Sequence, residues 1–134
     1  MQYSDLEILN LPREQQIKEL VDCFYSRVRR DELLGPVFTD AIGDNWEEHL
    51  ATMSDFWSAV VLASRRYKGN PMLSHIALPR LRRDHFERWL SYWRASATEL
   101  FEEEQARLFV EKADFMAERL LLAVNTQHDT LRNG

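Results

Sequence analysis

Cysteine is almost missing. Cys23 is the only one among 134 residues, which excludes an intramolecular disulfide framework and a thiolate-built zinc site, since each needs at least two thiols. A reducing, cytoplasmic location is therefore expected. Glycine and proline number four each and sit in a few clusters, so a turn-rich β fold is disfavoured and long helices are favoured. Positive charge is not in excess: 17 Lys and Arg stand against 22 Asp and Glu, a formal net charge of −5. Nucleic acid and anionic lipid surfaces are poor partners for such a chain. No apolar run approaches the roughly 18 to 20 residues of a membrane span; the nearest is Phe56 to Ala63. Met1 to Leu9 is acidic and lacks the basic start and apolar stretch of a secretory signal. No glycine-rich strand-to-helix turn offers a flavin or nicotinamide site, and no paired Glu-x-x-His pattern offers a diiron site.

What is present is helical periodicity. Residues 1–134 read as one domain, with a loose lead-in over 1–11 and a polar, frayed tail over 126–134. From about Pro12 to Arg30, Ile17, Leu20, Val21, Phe24, Tyr25 and Val28 follow one face of a helix. Leu33 to Phe38 then breaks the pattern, and Gly35-Pro36 implies a corner. Asp44 and Glu47 match a capping box that opens a second helix, whose stripe is Trp46, Leu50, Met53, Trp57, Val60 and Val61. His49 borders that stripe and can face either the core or solvent. Asp84 and Glu87 repeat the capping pattern before an aromatic face of Phe86, Trp89, Leu90, Trp93, Leu100 and Phe101. A last helix, about Glu104 to Asn125, turns Phe109, Val110, Ala113, Met116, Leu120, Leu121 and Val124 inward. No strand-like alternation competes with these periods, so the class is all-α.

The segment Pro71 to Pro79 places His75 among Met72, Leu73 and Ile76, with a proline at each end. At most about two helical turns fit between the prolines. A buried neutral imidazole with one nitrogen tied to a carbonyl leaves the other free for a metal. Taken alone, such a histidine is more often a hydrogen-bonded core residue. His85, the rival ligand, sits beside a helix start, where an exposed first-turn position is expected. A plain four-helix bundle needs neither the long corner before Arg83 nor an apolar histidine inside it. Together with the aromatic faces, these features suggest a flat, apolar ligand between helices, tethered by one imidazole.

Several short stretches, in this order, carry a specific resemblance: Phe24-Tyr25, Leu34-Gly35-Pro36-Val37-Phe38, Trp46-x-x-His49-Leu50, Met53 with Phe56-Trp57, Tyr67-x-Gly69-x-Pro71, His75-x-x-Leu78, and His85-Phe86-x-x-Trp89-Leu90. In this order and spacing the chain resembles a truncated haemoglobin of the third group, a two-over-two α-helical globin sandwich. The resemblance spans about Leu20 to Phe101.

It implies haem b, with His75 as the proximal iron ligand and Tyr25 as the distal residue, its hydroxyl donating to a bound diatomic ligand. Trp89 would add an indole N–H, and His49 would stand at the distal helix position. Phe38 would pack on the porphyrin plane, Met53 and Trp57 would line the cavity, and Met72 would lie beside the ligand. Tyr67, and Arg66 from the basic residues flanking the His75 segment, are candidates to anchor the propionates. The implied function is reversible binding or carriage of O2, CO and NO, with NO dioxygenation or peroxidase-like chemistry as extensions requiring an external reductase. The expected assembly is a monomer or a weak homo-oligomer. The alternative is a cofactor-free helical interaction or regulatory module on a globin scaffold, which predicts a colourless protein tolerant of His75→Ala.

Overall fold

The computed structural model describes residues 11–67 and 82–133, with side chains followed as far as Leu122. Five helices stand among them: α1 (Glu14–Arg30), α2 (Leu34–Ile42), α3 (Trp46–Leu62), α4 (Arg83–Leu100) and α5 (Glu103–Asn133). The Pro71–Pro79 segment lies outside the described residues.

In α1 the expected stripe is the one buried: Ile17, Leu20, Val21, Phe24, Tyr25 and Val28 all face inward. Glu14 in the first turn and Arg27, Arg29 and Arg30 in the last complement the helix dipole. At its start the Arg13 N–H donates to Gln16 Oε1 at 2.8 Å, relieving one orphaned donor.

The corner expected over Leu33 to Phe38 is instead the beginning of a helix. Pro36 falls within the first turn of α2, where the missing N–H has no intrahelical partner to lose, so the proline does not break it. Gly35 serves the turn by its size. A Cβ there would lie 2.9 Å from the Arg29 carbonyl oxygen, so α2 starts tight against the end of α1.

Of the two expected capping boxes, the one at α3 is absent and the one at α4 is displaced. Helix α3 is preceded by Asn45, with no side-chain cap from Asp44 or Asn45, while Glu47 and Glu48 occupy its first turn. At α4, His85 rather than Glu87 makes the capping contact: its Nδ1 accepts the Arg82 N–H at 3.1 Å. His85 is therefore buried, not exposed. The backbone of α5 stays helical to Asn133, beyond the expected end near Asn125. Neither proline nor glycine interrupts that stretch before Gly134.

Helix α1 packs on α3, and α4 packs on α5; the two pairs join where α1 meets α4 and α3 touches α5. This is the all-α, two-over-two arrangement, with α2 lying against α1 and α4. The core centres on Phe24, Trp57, Trp93 and Phe109, all nearly inaccessible to solvent. Each such side chain contributes about 1.5 to 3 kcal/mol through burial. Trp93 stacks on Trp57 with centroids 4.4 Å apart, and its indole N–H donates to the Phe109 carbonyl at 3.1 Å.

Candidate functional site

Four rings converge where α1, α2 and α3 meet. The α1 stripe points Tyr25 inward, and α2 brings Phe38 to 5.9 Å from its ring centre. The first turn of α3 brings Trp46 to 5.9 Å and His49 to 5.0 Å. All three contacts are edge-on, the arrangement that aromatic quadrupoles favour. Phe24 completes the enclosure at 4.8 Å. Tyr25 is only 5% exposed. Burial pushes its phenol well above the ordinary tyrosine value. The hydroxyl therefore keeps its proton and is a donor at any physiological pH.

His49 faces inward. Its ring stands at 85° to that of Tyr25, and its Nε2 is buried from solvent. Trp46 covers the same imidazole at 6.0 Å and is itself covered by the Arg29 guanidinium, 4.3 Å from the ring centre.

Trp89 joins this cluster through Phe24, whose ring lies 5.5 Å away. It is half-buried and runs parallel to Trp93 at 6.2 Å. Met53, Phe56 and Val60 on α3 are likewise half-buried against the core. Trp57 is more deeply placed, 3% exposed within the indole stack.

At the far end of α3, Tyr67 packs edge-on against Phe56 at 5.1 Å, and burial raises its phenol pKa. Arg66 is exposed and pairs with Glu14, Nε to Oε1 at 3.2 Å. That carboxylate oxygen also accepts the buried Ser58 hydroxyl at 2.6 Å. Tyr25, Phe38 and His49 are thus gathered in one cluster, with Trp89 beside it. Tyr67 and Arg66 stand apart from them near the end of α3. Met72 and His75 lie outside the described residues.

Sequence reasoning treated Phe24 and Trp46 as core positions and left them out of the site. Phe24 links Tyr25 to Trp89, and Trp46 roofs His49. The available signal was spacing: Trp46 and His49 are three residues apart on one helix, so they share a face.

Residues 10–121 match the bacterial-like globin family. A group 3 truncated hemoglobin of Campylobacter jejuni is 34% identical over 107 residues, covering 78% of this chain and 84% of that protein. The fold is similar to the crystal structure of group III truncated hemoglobin from Campylobacter jejuni, with a TM-score of 0.81 and 29% identity over 92% of this chain and 95% of that one. Family match, identity and fold agree, and the chain belongs to the bacterial-like globin family, where its similarity is to the third group of truncated haemoglobins.

Proposed function

We propose that this globin holds haem b through His75 and binds O2, CO and NO reversibly, with Tyr25 as the principal distal donor. Membership of the family implies a haem cofactor and a small diatomic ligand. The residues present fit such a group on two counts. Large apolar side chains, Met53, Phe56, Val60 and Trp89, remain half-buried around the core, as a flat apolar partner requires. The neighbouring donors are a protonated phenol and an imidazole, groups that suit a polar ligand atom in a dry site. Phe38, Met53, Trp57, Trp89 and Met72 would hold the ring, and Tyr67 and Arg66 would meet the propionates.

Haem iron supplies the site at which a diatomic ligand binds. Tyr25 holds its proton at Oη and donates it as a hydrogen bond, and the surrounding rings exclude water that would compete. The Trp89 indole N–H is donor-only and would offer the same ligand a second hydrogen bond. His49 carries an exchangeable proton at the edge of the cluster, under Trp46. Detoxification of NO follows as an extension: NO, O2 and one electron give nitrate, the electron coming from an external reductase.

The single observation that carries the reading is the burial of Tyr25 among Phe24, Phe38, Trp46 and His49. The test is to cycle the reduced protein between argon and air while recording its absorption. Bands that shift with O2 and return under argon are expected. Permanent oxidation on first exposure would refute reversible binding, and nitrate formed on adding NO to the aerated protein would support the detoxification extension.

A further inference from the structure

We infer that Asp31 is a positioning residue for the distal pocket: its carboxylate ties the end of α1 and the start of α2 to α4, fixing Tyr25 relative to Trp89. The inference rests on the haem-globin reading above.

Asp31 follows α1, and its side chain is 6% exposed. Its Oδ2 accepts the backbone N–H groups of Leu33 and Leu34 at 2.9 and 2.8 Å, the donors that open α2. Its Oδ1 accepts the Tyr92 hydroxyl, and Arg88 Nη1 lies 3.3 and 3.4 Å from Oδ2 and Oδ1. Arg88 and Tyr92 are one turn apart on α4, and Trp89 follows Arg88 directly. The helices that carry Tyr25, Phe38 and Trp89 therefore meet on one side chain.

A carboxylate in this place is unfavourable unless it is fully bonded. Burial raises its pKa, but the hydrogen bonds from Tyr92, Leu34, Leu33 and Arg88 outweigh that and hold the carboxyl below its usual range. A second polar tie between α1 and α4 gives the contrast. Arg27 donates to Ser96 Oγ at 2.8 Å and pairs with Glu99, without reaching α2. Both ties fasten α1 to α4, but only the Asp31 tie also reaches the helix that bears Phe38.

The infrared stretching band of the CO complex tests this, because its frequency reports hydrogen-bond donation to the ligand and its multiplicity reports the number of pocket arrangements. One dominant band is expected for the wild type. Asp31→Ala should split or broaden it and speed O2 dissociation several-fold. Asp31→Asn should restore most of the wild-type band, since its amide oxygen can accept from Leu33 and Leu34 while its NH2 faces the Tyr92 oxygen.

Should Asp31→Ala fold poorly, Tyr92→Phe removes one hydroxyl without opening a cavity and should split or broaden the band in the same way, to a smaller extent. Glu99→Ala should lower the melting temperature without moving the band. If Asp31→Ala or Tyr92→Phe lowers the melting temperature but keeps the wild-type band, Asp31 is structural only and the inference is overturned. A wild-type protein with no CO band removes the haem reading and this inference with it.

Discussion

Replacing Tyr25 by Phe removes one hydroxyl from a site closed by four rings. Phe24, Phe38, Trp46 and His49 lie with centroids 4.8 to 5.9 Å from that of Tyr25. Tyr25 is only 5% exposed, so water has little access to replace the lost donor. A neutral hydrogen bond has a net value of roughly 0.5 to 1.5 kcal/mol, and about 1.5 to 3 kcal/mol when the acceptor carries charge. Bound O2 is partly negative, so the upper range applies. Since about 1.4 kcal/mol is a factor of ten, O2 dissociation should quicken roughly tenfold or more. Stopped-flow displacement of O2 by CO measures the rate. The phenyl ring keeps its edge contacts and no cavity forms, so the melting temperature of the variant should stay close to that of the wild type. An unchanged dissociation rate in a normally folded variant would remove Tyr25 from contact with the ligand and refute the reasoning.

Other perturbations probe the scaffold. Trp93→Ala discards the stack on Trp57 and the bond to the Phe109 carbonyl, and should cost about 3 to 5 kcal/mol in guanidinium unfolding; a loss below ~1 kcal/mol would contradict the assigned core. Gly35→Ala forces a Cβ against the Arg29 carbonyl oxygen, 2.9 Å away, and should cost about 1 to 3 kcal/mol as an overpacked contact. Equal unfolding midpoints for this variant and the wild type would show that the α1–α2 corner yields freely. His85 is held below its ordinary pKa by burial first, then by Arg82 and Arg88, against the opposing pull of Asp84. The folded protein therefore binds fewer protons than the unfolded chain below about pH 6.5. Stability is full above that pH and falls as the pH drops through the window between the unfolded and folded values. His85→Gln, which can still accept the Arg82 N–H, should flatten that fall in melting temperature, and parallel curves would count against it.

Much of the fold was legible because helical burial repeats locally. The α1 stripe from Ile17 to Val28 needed only its spacing to be recognised, and it is buried as expected. Helix α2 was not legible. Gly35-Pro36 carries a breaker signal, and its position inside a first turn depends on the Asp31 carboxylate that caps Leu33 and Leu34. The cap of α4 was misread for a related reason: several residues near a helix start can cap, and packing selects among them, whereas α3 starts without a side-chain cap. At α4 the selection falls on His85, which is drawn inward.

Within the candidate site, Tyr25 and Phe38 could be named from the chain alone because the resemblance rests on contiguous short motifs. The inward placement of His49 depends on Trp46 and Tyr25 closing around it, which spacing does not dictate. Asp31 was invisible for the plainest reason. Arg88 and Tyr92 lie 57 and 61 residues away in sequence, and only the packing of α1 on α4 brings them together.

The central claim is that His75 tethers a haem in this chain. Its most direct test is the absorption spectrum of the purified protein, oxidised, reduced with dithionite and then exposed to CO, beside His75→Gly with and without added imidazole. The account predicts a haem band that shifts with CO in the wild type, is weakened or lost in the variant, and returns when imidazole fills the vacated place. A protein that stays colourless after addition of haemin, or a variant whose spectrum matches the wild type, would contradict it.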